Sequence, residues 1–441
     1  MLTRRAVLRS LVWATTGLAA EPLLTGCGQS TRSDGRQRAT GTIGLAAANV
    51  SREQGGIEAR PDAVDAVQAL TADLYRRLAV TPGNLVCSPY SVSVALAMTR
   101  NGARGSTARQ MDAVLHAPPL DRFNAGLNAL TRLVESRAGE QVRADRSKAT
   151  VSLDVANSLW GQLDTSWEPA FLAALARNYG AGMRLVDYQS QAEAARNLIN
   201  GWTADQTHDR ITDIIPAGVL DALTRLVLVN AIYLKAPWEE PFFSELTQQR
   251  PFQLSDGSVV DADTMTGSLG SASFAAGPGW RAARLPYAGR QLAMTVIVPN
   301  QPNSDQLDRF LDQAQLAQIL TSLRPVPLLR LQLPRWKFRL QIELGHQLAA
   351  LGMPIAFDPY RADFTGMTTD EQLYISHVLH QAFIAVDEEG TEAAAATAVV
   401  MTDMSMPLAT VLNVDRPFLF VIHDIDTATP LFIGRVSDPT R

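Results

Sequence analysis

The chain of 441 residues is poor in cysteine and nearly balanced in charge. Two cysteines are too few for disulfide bonds to be its main source of stability. A net charge of -5 at pH 7 gives no electrostatic reason to expect binding to nucleic acid or directly to an anionic membrane. The chain also lacks a Gly-x-Ser-x-Gly turn, a Walker loop and a His-Glu-x-x-His pair. Because these short signatures of hydrolases, nucleoside triphosphatases and zinc proteases are missing, the case for an enzyme is weak.

Hydrophobic residues make up 46% of the chain and charged residues 19%, as in an ordinary globular protein. This composition excludes a chain that is wholly disordered, collagen-like or coiled-coil. Length alone would allow two or three domains, although single domains reach this size. Because residues 61–441 contain no internal repeat and no convincing linker, the sequence predicts one large folded domain there.

The N-terminus has the layout of an export signal. Arg4 and Arg5 precede a mostly apolar run over residues 10–24, and small residues then lead to Cys27. The paired arginines resemble a twin-arginine signal, and the residues before Cys27 resemble a bacterial lipoprotein box. We therefore expect residues 1–26 to be a signal that is removed, and Cys27 to carry a lipid. The chain would then be exported and held at a membrane only through that lipid.

An N-terminal membrane helix is the alternative to this signal. Glu21 and Pro22 interrupt the apolar run, which leaves it shorter than the roughly 20 apolar residues that a membrane span requires. Residues 27–60 are rich in Ser, Thr, Gly, Ala and Arg and show no sustained apolar period. They predict a flexible tether between the signal and the folded domain.

Two helices are predicted at the start of the folded part. Apolar residues at helical spacing follow Pro61, and Pro82 ends this first segment. A second helix should begin at Ser88, because serine can cap a helix whose first turn holds Pro89. This second helix should end near Asn101.

Runs rich in Val, Leu and Ile predict strands farther along the chain. They are residues 225–235, 292–298, 329–340, 373–386, 418–423 and 431–436. Because helices come first and strands later, the pattern predicts an α+β fold.

No metal or cofactor site is expected. His377 and His380 would share one face of a helix as metal ligands, but they lie in an apolar, β-branched run. Strand alternation places them on opposite faces, so we expect one buried and one exposed histidine. Residues 277–282 resemble a dinucleotide loop only superficially, because Pro278 and Pro286 deny it the helix that would hold phosphate.

Residues 387–404 are compatible with two conformations. Glu and Ala favour a helix there, with Thr391 after Gly390 as its cap. The segment connects two predicted strands, however, so an extended conformation is the alternative. As a strand it would place on one face Thr391, Ala393, Ala395, Thr397 and Val399, and on the other Glu392, Ala394, Ala396 and Ala398.

Over residues 61–441 the sequence resembles the serpin family of serine protease inhibitors. The resemblance rests on an ordered series of blocks, which are residues 84–91 (NLVCSPYS), 156–160 (ANSLW), 199–202 (INGW), 228–235 (LVNAIYLK), 238–242 (WEEPF), 416–422 (RPFLFVI) and 431–436 (LFIGRV). Residues 388–395 (EEGTEAAA) are close to the hinge of inhibitory members such as antithrombin.

The resemblance implies a single α+β domain with three β-sheets, about eight or nine helices and an exposed reactive loop. It also implies that a target protease attacks the loop as a suicide substrate and forms an acyl-enzyme. Cleavage then frees the N-terminal half of the loop, which inserts as a new strand in the main sheet before the ester is hydrolysed. No catalytic residue and no cofactor of its own are implied, and the inhibitor is expected to be a monomer.

Counting by the family pattern from Gly390 places the attacked bond between Met404 and Ser405. The unbranched thioether of Met404 suits the apolar pockets of elastase-, chymotrypsin- or subtilisin-like serine proteases, which are the implied partners. The hinge that must enter the sheet comprises Glu388, Gly390, Thr391, Glu392, Ala393, Ala394, Ala395 and Ala396.

The resemblance assigns a gating role to Trp238 and Glu388, where the loop first enters the main sheet, and matches a polar cluster beneath the point where that sheet opens. Ser88, Ser91, Asn200 and His380 match a cluster beneath that point. Trp238 matches the region where the loop first enters the sheet. The polar residues of the cluster would also serve as hydrogen-bonded groups of the core.

Two other functions stay open at this point. One is a serpin-fold binding or storage protein without inhibitory activity, although such members usually carry a charged or bulky residue where this chain has Thr391. The other is an exported hydrolase that uses Ser88 or Ser405 with a histidine. No triad spacing and no oxyanion loop accompany either serine.

Overall fold

The computed structural model describes residues 42–301, 311–391 and 409–441. Several residues named in the predictions lie outside these ranges, namely Cys27, hinge residues 392–396, Met404 and Ser405. Among the described residues, no helix combines the length and the apolar character that crossing a membrane would need.

Eight α-helices lie within the described ranges. They are α1 (Arg60–Leu78), α2 (Pro89–Arg100), α3 (Gly105–Val114), α4 (Leu120–Glu135), α5 (Pro169–Tyr179), α6 (Tyr188–Gln206), α7 (Gln313–Ser322) and α8 (Gly345–Leu351). α1 and α2 confirm the two helices predicted from the sequence. The Ser88 hydroxyl caps α2 by accepting the N–H of Ser91 at 3.3 Å, and Pro89 fits the first turn because no helical acceptor is available there.

Nineteen β-strands lie in the same ranges. They are β1 (Gly44–Ala46), β2 (Leu85–Cys87), β3 (Gly139–Val142), β4 (Lys148–Gln162), β5 (Met183–Val186), β6 (Leu226–Pro237), β7 (Gln248–Gln253), β8 (Val259–Leu269), β9 (Ser273–Gly277), β10 (Trp280–Pro286), β11 (Leu292–Pro299), β12 (Arg324–Pro325), β13 (Leu329–Pro334), β14 (Trp336–Glu343), β15 (Ile375–Val386), β16 (Gly390–Thr391), β17 (Thr410–Asn413), β18 (Phe418–Asp424) and β19 (Pro430–Val436).

These strands form three sheets, which confirms the predicted α+β fold. The main sheet has the order β1-β5-β4-β6-β16-β15-β14, and β3 pairs with β4 at its side. The second sheet has the order β12-β9-β10-β11-β18-β19-β2, and the third has the order β17-β13-β8-β7. The main sheet contains every strand that borders the predicted hinge.

The six predicted runs correspond to seven of the observed strands, so many strands are absent from the prediction, and two of the differences have a clear physical reason. The run predicted as one strand over residues 329–340 is two strands, because Pro334 ends β13 in the third sheet and β14 begins at Trp336 in the main sheet. The 15-residue strand β4 is absent from the predicted strands. Polar residues such as Ser152 and Asp154 interrupt its apolar residues, so its sequence contains no continuous apolar run.

Strand β6 is buried on both faces, as its continuous apolar sequence predicts. Leu228 and Ile232 belong to the larger hydrophobic core, which also contains residues of α1, α2 and the second sheet. The alternate residues Val227 and Val229 belong to a smaller core that includes Ile199 of α6. The main sheet therefore separates two cores, and its centre is shielded from water on both sides.

The chain packs against the domain well before residue 61. β1 pairs antiparallel with β5 at the edge of the main sheet, and Arg52 bonds to Asn128 and to Glu135 of α4 at 2.9 Å each. The sequence predicts a flexible tether up to residue 60, whereas the structure places residues 44–60 against the domain. A three-residue edge strand is held by backbone hydrogen bonds, so it leaves no apolar period in the sequence.

Candidate functional site

The main sheet has a slot between β6 and β15. At one end residues 375–382 of β15 pair directly and in parallel with residues 226–232 of β6. At the other end the two-residue strand β16 lies between them and pairs antiparallel with both. There Thr391 stands opposite Ala236 of β6 and Val386 of β15. The start of the predicted hinge is thus already seated in the sheet.

A tight turn reverses the chain between β15 and β16. The Asp387 N–H donates to the Gly390 carbonyl at 3.0 Å, and the Gly390 N–H donates back to the Asp387 carbonyl at 3.3 Å. One carboxylate oxygen of Asp387 also accepts the N–H groups of Glu389 at 3.0 Å and of Gly390 at 3.2 Å. Burial raises the pKa of both Asp387 and Glu389. Gly390 has a φ of 152°, and a Cβ there would lie 2.3 Å from the Ala236 carbonyl oxygen, so only glycine fits.

Two stacked aromatic rings lie where β16 enters the sheet. The rings of Trp238 and Tyr287 have centroids 4.7 Å apart and planes within 5° of each other. The Trp238 indole N–H donates to the Asp387 carbonyl at 3.0 Å, and its backbone N–H donates to the Glu389 carbonyl at 2.8 Å. The hydroxyls of Tyr287 and Thr391 form a buried hydrogen bond of 2.6 Å. Because burial raises the pKa of Tyr287, its hydroxyl stays protonated and holds the hinge as a neutral group.

Glu388 attaches the turn to residues that flank strands of the third sheet, and to Phe242. The Thr247 hydroxyl donates to the Glu388 carboxylate at 2.5 Å, and the Arg335 guanidinium lies 3.4 Å from the same oxygen. The Phe242 N–H donates to the Glu388 carbonyl at 2.8 Å. Since Glu388 is only 8% exposed, these contacts satisfy a carboxylate that water reaches poorly.

A network of buried polar side chains lies beneath the direct contact of β6 and β15. His380 Nε2 accepts the Ser88 N–H at 3.1 Å, so the ring proton is on Nδ1, which donates to Asn230 Oδ1. The Asn230 side-chain amide donates to the Ser91 hydroxyl and to Asn157 Oδ1 at 2.6 Å each. Burial lowers the pKa of His380 to about 4, so it is neutral at pH 7. The network connects α2, β4, β6 and β15 in one chain of hydrogen bonds.

Asn200 does not belong to this network. It lies on α6, where its amide donates to the Ile215 carbonyl at 3.0 Å and its side-chain oxygen accepts the Ile215 N–H at 2.9 Å. The sequence-based assignment of Asn200 is therefore corrected to Asn230, and Asn157 is a further member. The physical reason is strand alternation, which turns Asn230 to the β6 face that meets α2, whereas α6 packs on the opposite face.

The described site consists of strand edges and the contacts that hold the hinge turn. Among the described residues, no group of three His, Cys, Asp or Glu side chains could hold a metal ion. The Ser88 hydroxyl is fully buried and donates to the Leu431 carbonyl at 2.6 Å, so it is not presented as a nucleophile. What the site offers is a pair of strand edges that part at one end and hold two hinge residues there.

Comparison with known proteins identifies the family. A family model described as serpin (serine protease inhibitor) matches residues 65–439. The chain is a serpin. This serpin is 34% identical to the leukocyte elastase inhibitor of Xenopus tropicalis over 376 residues, which cover 83% of this chain and 97% of the relative. The human leukocyte elastase inhibitor is 33% identical over 367 residues, which cover 81% of this chain and 93% of the relative.

Relatives also occur among archaeal proteins and solved structures. An uncharacterized serpin-like protein of Thermococcus kodakarensis is 36% identical over 382 residues, or 85% of each chain. Native tengpin, a thermophilic serpin, matches this serpin with a TM-score of 0.77 and 26% identity over 89% of this chain and 97% of tengpin. Serpin48 of the insect Tenebrio molitor has a TM-score of 0.74 and 28% identity over 86% of this chain and 98% of its own. The three-sheet fold is therefore the serpin fold.

Four residues of this serpin's site are absent from the sequence-based candidates, namely Asn157, Asn230, Tyr287 and Asp387. The two asparagines interrupt strand sequences that are otherwise largely apolar, and that signal could have found them. Asp387 follows a predicted strand and precedes Glu-Glu-Gly, which is typical of a turn whose side chain accepts backbone N–H groups. Tyr287 carries no local signal, because its partner Thr391 is 104 residues away in the chain.

Proposed function

We propose that this serpin traps elastase-, chymotrypsin- or subtilisin-like serine proteases. The bond that the protease attacks would be the one between Met404 and Ser405. The observation that carries the proposal is the seated hinge, because Thr391 already begins a strand between β6 and β15. After cleavage, the residues that follow Thr391 would continue that strand into the slot. The protease, still joined to Met404 by an ester, would be carried along the sheet.

The register of the slot supports this proposal. Across Thr391, Ala236 of β6 faces Val386 of β15. Six residues farther along each strand, Asn230 faces His380 directly. Because the offset between the strands is the same in both places, a strand extended from Thr391 would enter without either neighbour sliding. Insertion then requires only that β6 and β15 move apart.

The length of the slot fits a bond at Met404. Ten residues separate Ala236 from Leu226, the first residue of β6. Extension of the Thr391 register brings residue 401 opposite Leu226, so the inserted strand would end just before Met404. Ten residues of strand span about 33 Å, so residue 401 would lie about that far from Thr391 along the sheet.

Two observations support a preference for target proteases with an apolar specificity pocket. Met404 is unbranched and apolar, so it fits a hydrophobic specificity pocket better than a pocket with a buried carboxylate. Two of the relatives are named leukocyte elastase inhibitors. Both observations favour elastase-like enzymes over trypsin-like ones.

The test is incubation of the purified protein with elastase, chymotrypsin, subtilisin and trypsin. We expect SDS-resistant complexes with the first three enzymes and a released peptide that begins at Ser405. Met404→Arg should transfer trapping to trypsin, whereas the matched control Met406→Arg should not, because Pro407 follows it. A peptide that begins elsewhere would overturn the assigned bond. Cleavage by every protease without any stable complex would instead favour a non-inhibitory serpin.

We also propose that this serpin is exported and anchored by a lipid on Cys27. The support is the order of Arg4-Arg5, an apolar run and small residues before Cys27. Expression in a bacterium should place the wild type in the membrane fraction and Cys27→Ala in the soluble fraction. A soluble wild type with a free thiol at Cys27 would contradict the proposal.

A further inference from the structure

We infer that the Asp387 side chain is a positioning residue for protease trapping. By accepting the N–H groups of Glu389 and Gly390, it holds the hinge turn in the seated conformation, so that insertion starts from a formed hairpin. The inference rests on the proposed inhibitory function and concerns the step that decides between trapping and release.

The first step of the argument concerns the start of insertion. A new strand must close a turn before its ladder bonds form, and turn closure costs chain entropy without returning many hydrogen bonds. In this structure the turn between β15 and β16 is closed, and Thr391 is paired on both sides. The remaining insertion is therefore extension of an existing strand. Because insertion competes with hydrolysis of the ester, a closed turn favours trapping.

The second step concerns why Asp387 holds this turn. The backbone bond from the Gly390 N–H to the Asp387 carbonyl is long, at 3.3 Å. Among the described residues, the Glu389 N–H has no acceptor other than the Asp387 carboxylate. The carboxylate is thus the sole acceptor of the Glu389 N–H, and it is a second acceptor of the Gly390 N–H at 3.2 Å. Hydrogen bonds to a charged acceptor are stronger than neutral ones, so this one side chain supplies much of the turn's stability.

The third step separates Asp387 from its neighbours. Glu388 and Glu389 are held through their carbonyl groups by Phe242 and Trp238, which fixes the outer side of the turn. The Glu389 carboxylate makes no hydrogen bond to any described residue, although it carries the same charge two positions along. Its replacement is therefore a matched control for the loss of a carboxylate that does not hold the turn.

The experiment measures the stoichiometry of inhibition and the association rate constant with one trapped protease. Asp387→Ala should lower the ratio of trapping to ester hydrolysis at least about tenfold, because it removes the acceptor of two N–H groups and a single charge-assisted hydrogen bond is worth about that factor. The association rate constant of Asp387→Ala should not fall, because the bond between Met404 and Ser405 that the protease attacks is unchanged. Asp387→Asn keeps an oxygen at the same place and should restore trapping. Asp387→Gln displaces that oxygen by one methylene and should behave like Asp387→Ala. Glu389→Gln should trap like the wild type.

A second measurement reports hinge seating directly and does not depend on inhibition. A glutamyl endopeptidase should cut after Glu389 faster in Asp387→Ala and Asp387→Gln than in the wild type and Asp387→Asn. Glu389→Gln should abolish this cut, which assigns it. If Asp387→Ala does not fold, the Asn and Gln pair decides. If Asp387→Asn and Asp387→Gln trap the protease equally well, or if the glutamyl endopeptidase cuts them equally fast, the inference is overturned. A wild type that traps no protease would overturn the proposed function while leaving the cutting assay to decide the role of Asp387.

Discussion

Replacement of Thr397 by valine tests whether the polar network beneath the sheet changes partners during insertion. Extension of the Thr391 register along β6 and β15 brings Thr397 between Asn230 and His380, which face each other directly before cleavage. Thr391 turns its side chain to the buried Tyr287, and Thr397, six residues on, would share that face. The inserted hydroxyl would accept from the His380 N–H and donate to the Asn230 carbonyl oxygen, replacing the bond that the new strand breaks.

The magnitude follows from the groups that valine would leave unpaired. An inserted strand separates β6 and β15 by two strand spacings, or about 9.6 Å, so His380 and Asn230 cannot bond directly. Valine matches the shape of threonine without the hydroxyl. Each unpaired buried group costs about 1–3 kcal/mol, so the two together would destabilise the inserted form by about 2–6 kcal/mol. Roughly ten inserted residues gain on the order of 10 kcal/mol in ladder hydrogen bonds, so the loss is a large share.

The assay compares denaturant unfolding of the uncut and the cleaved forms. Uncut Thr397→Val should unfold like the uncut wild type, because the bond between His380 and Asn230 is intact there. Cleaved Thr397→Val should be less stable than the cleaved wild type, and its stoichiometry of inhibition should rise. Thr397→Ser keeps the hydroxyl and should restore both values. A cleaved Thr397→Val as stable as the cleaved wild type would refute the extended register, and a failure of serine to restore stability would assign the effect to packing.

Three further predictions concern the hinge and the buried histidines. Thr391→Arg would bury a guanidinium on the core face of the sheet, beside Tyr287, at a cost of several kcal/mol, so proteases should cleave the loop and be released active. Glu392→Arg should trap nearly normally, and gels that show equal complex for both variants would contradict this. Tyr287→Phe removes the hydroxyl partner of Thr391 and should release the hinge, seen as faster cutting by a glutamyl endopeptidase; an unchanged rate would refute a holding role. Burial lowers the pKa of His380 and of His423 from 6.5 to about 4, so the unfolded chain binds more protons between these pH values. The free energy of unfolding should therefore fall as pH falls from 6.5 to 4, by on the order of 3 kcal/mol for each histidine, and denaturant titrations that are flat over this interval would exclude the effect.

Local signals in the sequence predicted elements well where one residue pattern decides the structure. Ser88 before Pro89 predicted the start of α2, because capping is settled within one turn. The unbroken apolar run of β6 predicted a strand buried on both faces. In each case the physical cause lies within a few residues of the signal, so the local sequence is sufficient to predict the element.

The choice of partners was harder to predict, because it depends on residues far apart in the chain. Asn200 and Asn230 both lie in blocks that resemble the family, but only the β6 alternation turns Asn230 toward Ser91 and His380. The seating of Thr391 beside Tyr287 depends on a contact that closes over 104 residues. Composition favoured a helix after Gly390, whereas two strand edges impose an extended start on the segment. Tertiary pairing decided these cases.

The driving force and the barrier for insertion lie in different parts of the main sheet. Before cleavage β6 and β15 share a single ladder over residues 375–382, and each inserted residue would bond to both strands instead, so ladder formation drives the change. The barrier is the separation of that direct ladder together with the His380 network beneath it. Because the turn at Gly390 already holds β16 between β6 and β15, separation of these two strands can begin at that end. If Thr397 replaces the bond that separation breaks, insertion leaves neither His380 nor Asn230 without that hydrogen bond. Variants of the turn should therefore change the proportion of protease trapped and destabilise the uncut and cleaved forms alike, because both contain the turn, whereas variants of Thr397 should lower trapping and destabilise the cleaved form alone.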